Sequence, residues 1–555
     1  MTVMNQSELV AKFIRDKFPK FNDKLFRKSD DDIIEALKKV ILSIQRDRTF
    51  TIKVVKFRVV DEYFEVQKTL RDYEEATLSK KNKNRSANKR KENPYDFINL
   101  KDSDIKLLIV TYFISIKGVS NYIDVYIAIP RIIDKFYMRL SGSVYAPMYQ
   151  ILEASTYNNT TTTNSKKDNV TMRTLFSNIV MTRDKGVLKT VNKEEIPCRF
   201  FIINAYRPIL CMKYILGNYG LYGTLKLFNF EGLICIEDDD YIEREGWYTF
   251  NRSNVYVSVP KEIYEADFVF QSLVYTILDA VQRHTESKSM FSREFWLRSL
   301  GMKFNNDSVE KGLSVLDSLE HVYDISTREI TRLPDEMKQD IYHIAKWLMC
   351  EFANLRMKDN LDTGMKRLRF AEHIAAHYAK KLNGGLYRIV DQGNRADIDS
   401  IRKAISTRPM YLIEEIQKDK LVNYRDLVND CDSFSALKFT YKGIGGIGEK
   451  STKAIPDSFK AVNPSHIGRI DLNTSSASDP GMTGVLCPLA KMYDHGFFSD
   501  YQEPNTWDRR FKEIKDKYID HVGRHEVKLF EVEVLGKNQD EEQPMRRLFH
   551  VVKRR

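Results

Sequence analysis

The sequence predicts a multidomain α+β protein. A chain of 555 residues is long enough for about two to four domains of ~100–200 residues each. Apolar residues make up 42% of the chain and aromatic residues 12%, which is enough to fill hydrophobic cores. Strand-type alternation and helix-type spacing both occur, and the polar run at residues 158–167 (NNTTTTNSKK) indicates an exposed linker at a domain boundary.

Helices are predicted where apolar residues recur every three or four positions. After the capping residue Ser29, the apolar residues Ile33, Leu37 and Val40 follow this spacing, which predicts an amphipathic helix. The same spacing within residues 338–356 predicts a helix that faces a core. A further helix is predicted over residues 268–281.

Strands are predicted where apolar and polar residues alternate or where β-branched and aromatic residues cluster. Residues 51–60 alternate in this way and carry lysine and arginine on the other face, so we expect a half-buried strand. Residues 107–116 and 122–129 are two strong strand segments joined by a turn at Gly118. Shorter strands are predicted at residues 200–203 and 255–259 and near the C-terminus at 527–534.

Charge and cysteine usage narrow the possible functions. The formal net charge of +11 favours a polyanionic partner, although it is modest for a chain of this length. The six cysteines form no C-x-x-C pair, which excludes a zinc ribbon of that type and a redox motif. No apolar run approaches the ~18 residues that span a bilayer, and the N-terminus lacks a signal-peptide core, so we expect a soluble intracellular protein without a membrane partner.

Three charged segments allow both a functional and a structural interpretation. The acidic run at residues 237–240 could bind a metal, but no matching carboxylates stand nearby in the sequence, and a solvated turn is favoured. His373 and His377 have the i, i+4 spacing of zinc ligands, but Glu372 precedes them instead of following the first histidine. We therefore interpret them as histidines on a helix surface. The basic run at residues 79–93 is interpreted as a solvated loop, with a backbone-binding arm as the alternative.

A glycine-rich segment is the most informative stretch of the chain. Gly443, Gly445 and Gly448 fit the motif G-x-G-x-x-G. The sequence from Gly443 to Ser451 differs from the P-loop motif by one inserted residue. Both nucleotide sites need a helix after the glycines, and Pro456 ends any such helix within two turns. A flexible loop that faces another phosphate is the alternative interpretation.

The residues after this loop carry a family resemblance. The run Asn463-Pro464-Ser465-His466-Ile467-Gly468-Arg469-Ile470, followed by Gly484-Val485-Leu486, resembles a signature of the β subunit of multisubunit RNA polymerases. In that family a glycine loop, called fork loop 2, comes before a similar His-x-Gly-Arg run.

Two earlier segments match the same family in the expected order. One runs from Tyr126 through Ile129-Pro130 and Gly142 to Gln150; the other contains Asp359, Asp362, Lys366, Arg367 and Leu368. The match covers about residues 107–489 and corresponds to the N-terminal half of a β subunit. The chain thus resembles the split β subunits of giant (jumbo) bacteriophages, whose RNA polymerases are assembled from half-subunits.

The resemblance implies a domain organisation. Residues 1–151 and 338–429 would form one discontinuous protrusion domain, with a lobe domain inserted at residues 152–337. Residues 430–496 would form the fork loop and the start of the core, and residues 497–555 an extension that packs on a partner half-subunit.

The resemblance also implies which residues lie near nucleic acid in the wall of a DNA cleft. The aligned run at residues 474–478 lacks the glutamate of the family's Thr-Pro-Glu-Gly, which leaves its RNA contacts open. His466 and Arg469 are expected to brace the loop. The candidate nucleic-acid-binding residues are Lys366, Arg367, Arg369, Lys442, Gly445, Gly446, Lys450, Lys453, Ser465, His466 and Arg469.

Catalysis is expected to belong to other subunits. The sequence has no Asp-x-Asp-x-Asp triad, so this chain is not expected to bind the catalytic Mg²⁺, which we expect on a partner. The implied partners are the β C-terminal half, the β′ halves, DNA and RNA, with a promoter-specificity subunit as a further candidate, all in the cytoplasm of an infected bacterium. Packaging in the virion, a nucleotide-binding enzyme that uses residues 443–451, and a basic phage structural or DNA-packaging protein remain alternatives.

Overall fold

The structure is a computed structural model, and it confirms the α+β class. It describes residues 28–498 except for 83–102, 134–136, 154–155, 159–167, 206, 239–243, 283–284, 332–339, 354, 356–361, 393–394, 420–421, 425–436, 447–461, 473–482, 488–489, 491 and 493–495. The helices are α1 (Asp30–Ser43), α2 (Tyr63–Asn82), α3 (Cys211–Phe228), α4 (Lys261–Ala266), α5 (Phe268–Ala280), α6 (Arg293–Met302), α7 (Val309–Val322), α8 (Ile325–Ile330), α9 (Ile341–Cys350), α10 (Ala371–Gln392), α11 (Ile398–Ile405) and α12 (Tyr411–Lys418).

The strands form several separate sheets. The strands are β1 (Arg46–Asp47), β2 (Thr51–Val60), β3 (Ile105–Ile116), β4 (Val119–Pro130), β5 (Met138–Leu140), β6 (Ser143–Pro147), β7 (Tyr149–Glu153), β8 (Thr156–Asn158), β9 (Asp168–Arg173), β10 (Asn178–Lys189), β11 (Glu195–Asn204), β12 (Pro208–Leu210), β13 (Cys235–Glu237), β14 (Trp247–Arg252), β15 (Val255–Pro260), β16 (Lys366–Arg369), β17 (Val422–Tyr424), β18 (Lys438–Thr440) and β19 (Thr483–Val485). The sheet orders are β1-β2-β3-β4, β12-β11-β10-β9-β8, β13-β15-β14, β16-β7-β18-β19 and β17-β6-β5.

The strongest local patterns form the elements predicted from them. Helix α1 begins after Ser29, whose side chain accepts a hydrogen bond from the Asp31 amide, and it buries the apolar face predicted above. Strands β3 and β4 form a long antiparallel hairpin. Its turn places Lys117 and Gly118 at φ 51° and 80°, the left-handed pair that suits a two-residue hairpin turn.

Two hydrophobic cores organise the described residues. The first core draws on residues 33–151 and 368–498, with Leu175 and Phe176 added, and packs α1, α10, α11 and α12 around the β1–β4 sheet. The second core draws on residues 170–355 and packs α3, α5, α6, α7 and α9 around the β8–β12 sheet. The boundaries of the protrusion, lobe and fork domains stay predictions.

A four-stranded mixed sheet joins segments that are far apart in the sequence. Strand β7 lies between β16, to which it is antiparallel, and β18, to which it is parallel; β19 completes the sheet beside β18. Gln150 of β7 is level with Arg369 on one side and with Thr440 on the other. We call these four strands the mixed sheet.

The acidic run at residues 237–240 is bound to protein groups where it is described. Glu237 pairs with Arg244 at 2.6 Å. The Asp238 carboxylate accepts hydrogen bonds from the amide and the hydroxyl of Ser287 at 2.9 and 2.8 Å. Glu237 ends strand β13, whereas Asp238 is exposed, so the interpretation as a solvated turn is not contradicted for Asp238. Residues 239 and 240 lie outside the described residues. The C-terminal segments 499–555, including the strand predicted at 527–534, lie outside the described residues.

Candidate functional site

The mixed sheet brings together the segments that the family resemblance singles out. Strand β7 carries Gln150, β16 carries Lys366 to Arg369, and β18 leads directly into the glycines at 443–446. Strand β19 carries Gly484, where an added Cβ would lie 2.6 Å from the Phe439 ring. Residues matched separately in the sequence are therefore neighbours in the fold. We call residues 442–446 the glycine loop.

Gln150 is the centre of the polar contacts that hold the glycine loop. Its side chain is buried, and its Nε2 donates to the carbonyls of Lys442 and Ile444 at 2.8 and 3.1 Å. Its Oε1 accepts from Arg369 Nε at 2.6 Å and faces His373 Nδ1 at 3.1 Å. Because all of these groups lie in a site of low exposure, the loop is fixed to the sheet from its inner side.

Two arginines add to this anchorage. Arg369 Nη2 donates to the Ile444 carbonyl, and Arg173 Nη1 donates to the Gly445 carbonyl. Arg173 also pairs with Glu153 at 2.8 Å and comes from β9, in a sheet of the second core. Burial, together with the nearby positive charge of Arg367, lowers the pKa of Arg369 to about 9.

The predicted basic residues of β16 lie inside the protein. Lys366, Arg367 and Arg369 are 1%, 8% and 5% exposed, which differs from the expected phosphate-facing surface. Lys366 Nζ lies 3.6 Å from Glu153 and Arg367 Nη1 lies 3.7 Å from Glu372. The cause is that neighbouring elements cover all four residues of β16. Direct contact between these cations and phosphates stays a prediction.

The glycines allow the loop to approach the sheet closely. Gly443 and Gly445 have φ of 108° and 73°, which L side chains rarely adopt. A Cβ added to Gly446 would lie 2.4 Å from the Tyr441 carbonyl and 2.9 Å from Gln150 Nε2. The Gly446 amide donates to the Gly443 carbonyl at 2.9 Å, so it is used within the turn. Lys450 and Lys453 lie outside the described residues.

The Ser465–Arg469 segment packs against the 3-10 turn Thr363–Met365. Thr363 donates from its amide to Ser465 Oγ at 3.0 Å and from its hydroxyl to the Ser465 carbonyl at 2.8 Å. Arg469 Nη1 donates to the same Ser465 carbonyl at 3.0 Å. His466 and Arg469 are buried, whereas Ile467 between them is 70% exposed. These contacts hold the segment against the rest of the chain, and the role of the segment at nucleic acid stays a prediction.

His373 and His377 are buried, so their interpretation as surface histidines is wrong. Both Nε2 atoms lie 2.6 Å from one oxygen of Asp419, and the three side chains are 6%, 10% and 9% exposed. Burial lowers the pKa of His373 to about 4, against the opposing effect of Asp419. Burial also acts to raise the pKa of Asp419, but the contacts with both histidines outweigh it and hold that pKa well below its ordinary value.

A basic groove lies beside the histidines and the glycine loop. It has a volume of about 540 Å³ and runs along α10, with His377 and Ile444 in its wall. Its rim carries exposed cations from α10 and α11. These cations are Lys380, Lys381, Arg388 and Lys403.

Arg173, Thr363 and Asp419 are site residues that the sequence did not indicate. Each reaches the site across more than 40 residues of chain, and none belongs to a recognisable spacing. Thr363 did lie inside a family-matched segment, which was the one signal that pointed to it.

Within the described residues, none of the helices combines the length and the apolar character that crossing a membrane requires.

Comparison with known proteins places the chain in a family. No curated protein matches the chain. A family model described as non-virion RNA polymerase subunit matches residues 7–516. This match covers most of the sequence, and the chain therefore belongs to the family of non-virion RNA polymerase subunits.

Proposed function

We propose that this polymerase subunit is the N-terminal half of a β-type subunit of a DNA-dependent RNA polymerase. In this proposal it forms one wall of the DNA cleft, and the glycine loop acts as the fork loop beside the separating strands. The catalytic Mg²⁺ and the nucleotidyl transfer are supplied by partner half-subunits, and the isolated chain is inactive.

The convergence of the matched segments on the mixed sheet is the observation that carries this proposal. Gln150 lies in one matched segment and bonds to Arg369, which directly follows the second, and to the glycine loop that precedes the third. Ser465 of the third segment bonds to Thr363, which lies in the second. A nucleotide-binding P-loop would instead direct free backbone amides toward a phosphate. In the glycine loop the Gly446 amide is used internally, and the anchored groups are carbonyls.

The physical role of the anchorage is to present the loop rigidly. A loop that separates strands must keep its position while the duplex is pushed against it, and the arginine and glutamine contacts behind it resist such displacement. The basic groove supplies the neighbouring phosphate contacts in this proposal, because its four exposed cations line the same groove as Ile444 of the loop.

Reconstitution with partner half-subunits tests the subunit role. The full chain, co-expressed with the remaining half-subunits, is expected to co-purify with them and to be required for DNA-templated RNA synthesis. Equal synthesis without this chain, or failure of the chain to co-purify, would refute the proposal. The expected location is the cytoplasm of the infected host, with synthesis after infection favoured over packaging by the family's description as non-virion.

Salt dependence of DNA retention tests the groove. Lys381→Ala combined with Lys403→Ala should lower the slope of log affinity against log salt by about 0.9 for each phosphate that the variant no longer neutralises. The matched control is Lys185→Ala combined with Lys189→Ala, two exposed lysines on β10. An unchanged slope in the groove variant, with an intact assembly, would remove the groove from the proposed cleft wall.

A further inference from the structure

We propose that His373, His377 and Asp419 bind one divalent transition-metal ion of the zinc type, and that this ion stabilises the glycine loop through Gln150. Helix α10 presents the two histidines on one face at i, i+4, and Asp419 follows directly after α12. The proposal does not depend on the role proposed for the chain in transcription.

Three potential ligand atoms converge on one small volume. His373 Nε2 and His377 Nε2 each lie 2.6 Å from the same oxygen of Asp419, and all three ligand atoms lie within 4.8 Å of one another. The two imidazole rings are nearly perpendicular, with their centroids 5.3 Å apart. A carboxylate oxygen only accepts, so both ring nitrogens must either carry a proton or share a cation with it.

Gln150 decides which nitrogen of His373 carries the proton. Its Nε2 donates to the carbonyls of Lys442 and Ile444, which fixes the orientation of the amide and leaves Oε1 as an acceptor. His373 Nδ1 faces this oxygen at 3.1 Å and is therefore the protonated nitrogen. In neutral His373 the lone pair of Nε2 then faces the Asp419 carboxylate. These two acceptors repel each other unless a cation lies between them.

The ligand set favours zinc over magnesium or calcium. Two imidazoles and one carboxylate suit Zn²⁺ with a water as fourth ligand, whereas Mg²⁺ and Ca²⁺ prefer oxygen ligands throughout. Bonds of about 2.0–2.1 Å in a tetrahedron place ligand atoms about 3.3 Å apart. The 2.6 Å contacts must therefore lengthen by about 0.7 Å, which small side-chain rotations can provide. The basic groove reaches His377 and provides an entry path for the ion and the water.

Gln150 transmits the effect of the ion to the glycine loop. A hydrogen bond from the second ring nitrogen to a neighbouring polar group is the usual support of a metal-bound histidine. Here that group is the Gln150 amide, whose other end holds the carbonyls of Lys442 and Ile444. Fixing His373 on a metal thus fixes Gln150, and with it the backbone of the loop.

Metal titration of the full-length chain tests the proposal without any measurement of polymerase activity. After treatment with a chelator, the chain should bind one equivalent of Zn²⁺, and Co²⁺ should give the visible absorption of a four-coordinate site. X-ray absorption of the zinc-loaded chain should show two imidazole ligands. Zinc should also slow hydrogen exchange at residues 442–446. Absence of stoichiometric binding, or a ligand set without two imidazoles, would overturn the site; binding with unchanged exchange would overturn the link to the loop.

Matched variants assign the ligands. Asp419→Asn and His377→Gln keep the approximate shape of the site. Removing a group that only supports a metal ligand weakens binding by about 10–100-fold, and loss of a ligand itself should weaken zinc binding by more than that. The control is His343→Gln, because His343 also contacts an aspartate, Asp340, at 2.8 Å but has no second histidine beside it in the described residues. Undiminished binding by folded Asp419→Asn would overturn the proposal. If this variant does not fold, the spectra of the unmodified chain decide.

Discussion

Replacing Gln150 by leucine is expected to destabilise the fold and release the glycine loop. Leucine has a similar size but makes none of the four polar contacts of the glutamine side chain. Counting only the Lys442 carbonyl and Arg369 Nε, each buried group that loses its partner costs about 1–3 kcal/mol. Gln150→Leu should therefore lower the free energy of unfolding by about 2–6 kcal/mol.

A second buried glutamine provides the control for this change. Gln271 in α5 accepts from the Arg199 amide and donates to the Tyr264 carbonyl, both at 2.8 Å, within the second core. Gln271→Leu should cost a similar free energy of unfolding, because it also leaves two buried backbone groups without a partner.

The two variants should differ in local hydrogen exchange. Urea denaturation of the full-length chain gives the free energy of unfolding, and exchange at residues 442–446 reports on the loop. Faster exchange in the loop is expected for Gln150→Leu but not for Gln271→Leu. A cost below about 1 kcal/mol, or equal loop exchange in the two variants, would refute the view that Gln150 anchors the loop.

Two further predictions concern helix packing and acid stability. Gly385→Ala should destabilise the fold by about 1–3 kcal/mol, because the added Cβ would lie 2.6 Å from the Ala404 carbonyl oxygen. The Cβ of Gly384→Ala would meet no atom within 4 Å, so this variant should stabilise the fold by up to about 1 kcal/mol. Urea denaturation measures both changes. Burial acts to raise the pKa of Asp340, but hydrogen bonds from the His343 amide and the Tyr219 hydroxyl outweigh it and lower that pKa. This carboxylate therefore stabilises the fold above its unfolded pKa of about 3.9 and loses that effect as the pH falls through the folded value. Asp340→Asn should show less loss of stability than the unmodified chain between about pH 5 and pH 3, and an equal loss would contradict this assignment.

Patterns within short stretches of sequence predicted the helices and hairpins that are stabilised mainly by contacts within the same stretch. The spacing after Ser29 and the alternation on either side of Gly118 correspond to α1 and to the β3–β4 hairpin, because one turn or one register fixes these elements. The family resemblance located the segments that form the mixed sheet. Their convergence could not be derived from spacing alone, because it depends on pairing between strands more than 200 residues apart.

The burial of the β16 cations and of the two histidines was not predicted from the sequence, and the reason is physical. Strand β16 reads Lys-Arg-Leu-Arg, and three cations in four residues are normally exposed because burying a charge is costly. Glu153 compensates for Lys366 here, but it lies on another strand that the sequence does not pair with β16. The burial of His373 and His377 depends in the same way on Asp419, which arrives from a different helix end.

Arg173 makes the glycine loop sensitive to events in the other core. Arg173 belongs to a strand that packs in the second core, yet its guanidinium donates to a carbonyl of a loop that otherwise packs against the first core. A shift of the β8–β12 sheet by about one ångström would stretch this hydrogen bond beyond the usual donor–acceptor range of about 2.7–3.2 Å. A protein that binds the outer surface of that sheet and displaces it would thereby shift the position of the loop without contacting the loop.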